Sequence, residues 1–256
     1  MDVTHRKQLI VLLILLIVYA LSAFASYAFF LDLLMASNPI QTPMPNLGVS
    51  NAVLGLANAG IVLVGYGLFG LAGYWLARKV GLPGIYSPDG NLRRWVFTPL
   101  LIGLVSGVIL LVGDLLFAPI NGLGRLIHPP FPVSILASIA AGIGEEILFR
   151  GLVFGLWALL LTWLFRRFNR RTTALWIANV IAALAFAAGH LGTAMFLVGA
   201  ASPADLNPFL VLELFLLNGI VGLAAGERYM KDGLVAAAGV HFWTDVVWHV
   251  LYGLTV

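Results

Sequence analysis

Seven long apolar runs, separated by short segments that carry proline or clustered basic residues, organise the chain. The first is Leu9 to Leu34, interrupted only by Asp32 and preceded by His5, Arg6 and Lys7. Ala23 to Ala25 resembles a signal-peptidase cleavage site, but the apolar run continues past it, whereas signal h-regions are only about 7–15 residues long. A retained first helix is therefore predicted. Ala36 to Ser50, with Pro39, Pro43 and Pro45 and no basic residue, reads as a loop. The second span, Asn51 to Ala77, holds Gly55, Gly60, Gly65, Gly67, Gly70 and Gly73, whose lack of side chain lets helices approach closely in lipid. Arg78 to Arg94 is a polar loop with Pro83 and Pro88, and Trp95 to Phe117 is the third span, its Asp114 read as interfacial.

Beyond a connector containing Pro119, Pro129, Pro130 and Pro132 comes the fourth span, Val133 to Phe165. At ~1.5 Å per residue it is longer than a ~30 Å hydrocarbon core requires, so it must tilt, bend or project. Arg166, Arg167, Arg170 and Arg171 close it. The fifth span is Thr172 to Ala200, Ser202 to Pro208 breaks the chain, and the sixth covers Phe209 to Gly226. The sequence ERYMKDG, Glu227 to Gly233, reads as a tight polar turn before the seventh span, Gly233 to Leu254.

Composition places this pattern in a bilayer. The 256 residues are 61% hydrophobic and 10% charged, with mean hydropathy +1.00, against roughly 45–50% apolar and 25% charged in soluble domains. The expected fold is an all-α, polytopic integral membrane protein of seven or eight helices. A single membrane domain over 1–256 is expected, with N-terminal helices 1–3 in 1–131 and the remaining helices in 132–256. The net charge of +3 does not point to nucleic acid, because the basic residues cluster between apolar runs. The absence of cysteine excludes thiolate catalysis and Cys–zinc sites. With the N-terminus in the cytoplasm, Arg6, Lys7, Arg78, Lys79, Arg93, Arg94, Arg166, Arg167, Arg170, Arg171, Arg228 and Lys231 all fall inside. Of the remaining basic residues, Arg125 lies outside and Arg150 within a span. That asymmetry follows the positive-inside rule, and the cell membrane is the expected location.

Against this background the ionisable residues inside apolar runs stand out. Glu145, Glu146 and Arg150, in GIGEEILFRG, are the only ones between Pro132 and Phe165. Each costs at least ~2.5–3.5 kcal/mol at the centre of a membrane helix, so such residues point to function. Glu146 and Arg150 share a helix face and can pair, which leaves Glu145, turned about 100° away, free for chemistry. The fifth run carries His190, and the seventh stacks His241, Asp245 and His249 at four-residue intervals. A glutamate and histidines in a low-dielectric cavity suit hydrolysis, because burial brings carboxylic acids and imidazoles toward the range where a general base works. Polar groups in lipid also act as hydrogen-bond glue between helices. Glue accounts for one histidine more readily than for two adjacent carboxylates. His5 and His128 are read as solvated, and His249 as a partner of Asp245 or interfacial.

These residues carry a resemblance. EEILFR at Glu145 to Arg150 is similar to an EExxxR motif, FAAGH at Phe186 to His190 to FxxxH, and HFWTD at His241 to Asp245 to HxxxN. In that order they resemble the motifs of the CPBP family of intramembrane proteases, the CAAX-prenyl endopeptidase and bacteriocin-processing group also called Abi. The resemblance spans Val133 to Val256. It implies eight spans and an endopeptidase acting on a membrane-associated protein or peptide: a CAAX-type lipoprotein, a leader peptide or a membrane-protein segment. It further implies that Glu145 and His190 activate water, and that His241 and Asp245 serve the oxyanion, with Glu146 and Arg150 supporting. Asp245 departs from the commoner Asn, and an ionised Asp cannot donate to an oxyanion. It would have to be protonated, orient His241 or bind a metal. The family is described both as metal-dependent and as glutamate-dependent. Two histidines with Glu and Asp match zinc in ligand type and number, without the compact HExxH spacing. Outside this class, the same residues suit a proton-coupled transporter or a silent scaffold or immunity protein. Counted along straight helices, His241 lies about 12 Å from the cytoplasmic end of its span, while Glu145 and His190 fall nearer the opposite face. A break near Gly189 and Gly192, or a bend around Gly142 and Gly144, would be needed to join them.

Overall fold

A computed structural model describes residues 3–36 and 48–255, and no strand occurs among them. Seven helices are long and apolar enough to cross a membrane: α1 (Thr4–Ala36), α2 (Asn51–Lys79), α3 (Arg93–Phe117), α4 (Val133–Phe168), α5 (Arg171–Val198), α6 (Pro208–Asp232) and α7 (Leu234–Tyr252). The hydropathy reading of an all-α integral membrane protein is borne out. Residues 37–47, most of the proline-rich loop read at Ala36 to Ser50, lie outside the described residues. The cleavage-like Ala23 to Ala25 sits within the unbroken α1.

Polar chemistry at the chain ends of the helices fixes where they start and stop. Ser50 accepts the amide of Val53 at the head of α2, and Asn207 accepts that of Phe209 at the head of α6, with Pro208 in the first turn. The polar stretch after Gly226 is not a turn. α6 stays helical to Asp232, where Arg228 and Lys231 pair one turn apart with Asp232 and Glu227. The turn narrows to Gly233 at φ 91°, where a Cβ would lie 2.7 Å from Tyr86 Cα. The segment following α2 caps this end of the bundle: Gln8 binds the backbone of Pro83, Ile85 and Tyr86, and Leu234 donates to Gly84. The basic residues gather here, Arg94 on Asp232 at 2.6 Å and Arg171 on the carbonyl of Val80.

α7 is the most enclosed span and touches α3, α4 and α6. Small residues let it in. A Cβ on Gly142 of α4 would lie 3.1 Å from Phe242 Cβ, and one on Gly103 of α3 would lie 2.6 Å from Val240 O. The packing role read for the glycines of α2 holds at Gly73, which abuts Gly151 of α4. It does not hold at Gly60 or Gly65, where a side chain would meet nothing within 4 Å.

Three irregularities set the site. α5 breaks at His190: one helical segment ends at Gly189 and the next begins at Leu191. α4 turns from α- to π-winding directly after Glu146, over Ile147–Phe154, and α7 does so directly after Asp245, over Val246–Tyr252. Such π-turns are rare and recur at functional sites.

Candidate active site

The breaks and close approaches bring Glu145, His190, His241 and Asp245 to one cavity of about 180 Å³. The separation obtained by counting along straight helices is therefore corrected. The break at His190 falls where glycine suggested it, and Gly142 acts as a close-contact point with α7. Leu110, Leu214, Leu217 and Val221 supply apolar wall, and Leu123, Leu126 and Ile127 of the α3–α4 connector cover one end.

Glu145 is half-buried and its Oε2 meets no hydrogen-bond donor among the described residues. Its neighbour Glu146 is fully buried behind the cavity, 3.1 Å from Arg150 Nη1, which is equally enclosed. The guanidinium carbon of Arg150 lies 4.7 Å from the centre of the Phe186 ring, a cation–π placement. Phe186, which opens the second motif, also packs edge-on against His190 and His241, at 5.0 and 5.3 Å between ring centres. One aromatic side chain thus touches a residue of each motif.

The two histidines differ in what holds them. His190 Nδ1 lies 2.9 Å from the carbonyl oxygen of Phe186. A carbonyl only accepts, so Nδ1 carries the proton and Nε2 keeps its lone pair. His241 Nδ1 lies 2.9 Å from Glu146 Oε1, and its Nε2 is 3.6 Å from Asp245 Oδ2. Glu146 thus has a second partner that helix spacing alone did not reveal. Among the described residues no three His, Asp or Glu side chains come together as a metal site. The residues do not fit zinc as they stand, and the chemistry below takes no step through it.

Other sequence readings need correction. His249 does not pair with Asp245: its Nδ1 is 3.1 Å from Nδ1 of His128. His128 is not solvated but half-buried against Trp248 and Tyr252, and that burial lowers its pKa. His5, at the start of α1 and partly exposed as read, bonds Tyr74 and Arg78. Asp114, near the end of its span as read, is fully buried within the protein, accepting from the Leu126 amide at 2.9 Å and the Tyr252 hydroxyl at 2.7 Å. Glu213 of α6, also fully buried, lines the cavity and escaped the sequence reading altogether. The signal was present: Glu213 is the only ionisable residue between Pro208 and Gly226.

Residues 127–247 match the family model described as type II CAAX prenyl endopeptidase Rce1-like. This segment holds all three motifs, and the match bears out the resemblance read from them. No curated protein and no solved structure matches the chain.

Proposed function

From the Rce1-like match of residues 127–247, a family of CAAX-type endopeptidases, we propose that the protein hydrolyses a peptide bond of a membrane-associated substrate in the cavity at Glu145. The observation that carries the reading is the convergence of Glu145, His190, His241 and Asp245, from three helices, on one cavity. Water enters between Glu145 and His190. Glu145 has an unengaged oxygen and His190 an Nε2 lone pair, so either can take the proton as the water oxygen bonds to the scissile carbonyl carbon. The proton then passes to the leaving nitrogen as the C–N bond breaks.

The charge that develops on the carbonyl oxygen needs donors. His241 donates through Nδ1 to Glu146. Its Nε2, which lies 3.6 Å from Asp245 Oδ2, is the nitrogen left to donate to the oxyanion. Asp245 is then a positioning residue that acts through His241, which accounts for an acid where Asn is commoner. The expected result is that Asp245→Asn lowers kcat and shifts its pH profile. The loss should be smaller than for His241→Gln, which removes the donor and should cost about 10²–10³ in kcat. An Asp245→Asn protein as active as wild type would return the position to direct oxyanion donation.

In this reading the chain is one membrane domain in which 132–256 carries the chemistry and helices 1–3, in 1–131, enclose it. Proteomic comparison of membranes from cells carrying wild type and Glu145→Gln should reveal a substrate that accumulates uncleaved in the mutant. A transporter or scaffold would leave the two proteomes alike.

Orientation follows from charge. With the basic end in the cytoplasm and the protein in the cell membrane, the cavity lies toward the extracytoplasmic side, under the connector bearing Leu123 and Leu126. The cysteine-free chain allows a direct measurement. In intact cells a membrane-impermeant maleimide should label Ala204→Cys, between α5 and α6, and not Asn169→Cys, between α4 and α5. Labelling of both would overturn the seven-span orientation.

A further inference from the structure

At the connector end of the cavity, away from the proposed chemistry, sits a second buried acid with its surroundings built around it. Glu213 is 0% exposed. Its Oε2 accepts the Asn121 side-chain amide at 2.7 Å, and Oε1 meets no hydrogen-bond donor among the described residues. Asn121 cannot turn to do otherwise, because its Oδ1 already accepts the amides of Leu123 and Gly124, at 2.8 and 2.9 Å. The carboxyl groups of Glu213 and Asp114 meet side chain to side chain at hydrogen-bonding range, and both oxygens of Asp114 also accept, from Leu126 and Tyr252. Two carboxyl groups thus stand together out of water, and two acceptors at that range need a proton or a cation between them.

Among the described residues no lysine or arginine lines the cavity, whereas Glu145, Glu213 and Asp245 do, with His190, His241 and His249 as the other ionisable groups. A buried carboxylate pair is unfavourable unless something positive stands between its members, and a cation with hydrogens to donate can take the place of the shared proton. Leu123, Leu126, Leu210, Leu214 and Leu217 line the same cavity as Glu213. An apolar sleeve ending in an acid fits one shape of ligand: an aliphatic stem tipped by an ammonium group, as in a lysine side chain.

We propose that Glu213 is a specificity residue which binds the ammonium group of a lysine-type side chain in the substrate, next to the bond presented to Glu145. The subsite rests on the endopeptidase reading for its role, but not for its existence. A charge-assisted hydrogen bond is worth about 1.5–3 kcal/mol, equivalent to roughly 10–100-fold in affinity.

The test uses purified full-length protein and a set of fluorescent leucine-rich peptides that carry lysine or norleucine at one position, scanned along the peptide. Binding is measured to Glu145→Gln protein and cleavage with wild type. The best lysine peptide should bind roughly 10–100-fold tighter than its norleucine twin. Adding Glu213→Gln, which keeps the acceptor for Asn121, should erase the difference and leave norleucine binding unchanged. Tighter lysine binding without cleavage by wild type would sink the endopeptidase reading and leave the subsite standing. Equal binding of the two peptides at every position would overturn the subsite whether or not either is cleaved. That comparison needs no Glu213 variant, so a misfolded Glu213→Gln protein cannot shelter the proposal.

Discussion

Glu145→Gln is expected to leave a folded protein whose turnover is lower by about 10²–10⁴-fold, the usual contribution of a general base. The substitution is nearly isosteric. Among the described residues Glu145 Oε2 has no donor to lose, and the carboxylate of Glu145 is not the one that lies 3.1 Å from Arg150, which is Glu146. The amide keeps size and polarity but cannot accept a proton. His190→Ala should give a comparable loss, because the Nδ1 contact with Phe186 leaves Nε2 as the other acceptor for the same water. Two groups that act on one water are not independent, so the double variant should fall far less than the product of the single losses. Single-turnover cleavage of a substrate recovered from the membrane comparison measures all three. Wild-type rates in folded Glu145→Gln would end the mechanism, and a strictly multiplicative double variant would separate His190 from the water.

The extent to which this site was legible depends on which physical signal each residue leaves in the chain. Span order and the motif residues were legible because a charge inside an apolar run is costly and therefore conspicuous. That signal found Glu145, Glu146, Arg150, His190, His241 and Asp245. The same rule applied to Glu213 would have found it, since it is isolated in the same way. Asp114 was seen but its enclosure was not: near a span's end it looks wet, and only the fold-back of the connector that sets the Leu126 amide on it shows that it is enclosed. Depth was not legible. Counting at a constant rise assumes straight α-helices, and this chain breaks at His190 and unwinds to π-turns just after Glu146 and Asp245. Those changes depend on how helices pack, through contacts such as Gly142 against Phe242, and no single run records them. The bond from Glu146 to His241 was hidden for the same reason: it joins residues 95 apart on different helices.

Arg150→Ala is expected to be the most destabilising single change near the site. Arg150 is among the largest fully buried side chains and makes two named contacts, Glu146 at 3.1 Å and the Phe186 ring at 4.7 Å. Its removal leaves the carboxylate of Glu146 without its cation, and breaking one half of a buried pair typically costs about 3–5 kcal/mol. It also opens a void beneath Phe186, the ring on which His190 and His241 rest, and voids add their own cost. Glu146→Gln should be milder. The amide oxygen can still accept from His241 Nδ1, and the volume is retained, although Arg150 loses its nearest counter-charge. The thermal midpoint of purified protein should therefore fall further for Arg150→Ala than for Glu146→Gln. Combining Glu146→Gln with Arg150→Met, which refills the void and leaves no unpaired charge, should recover part of the loss, because residues in contact are not additive. Equal and negligible shifts for the single variants would dismiss the pair as a structural element. A double variant whose shift equals the sum of the Glu146→Gln and Arg150→Met single shifts would show that Glu146 and Arg150 act separately.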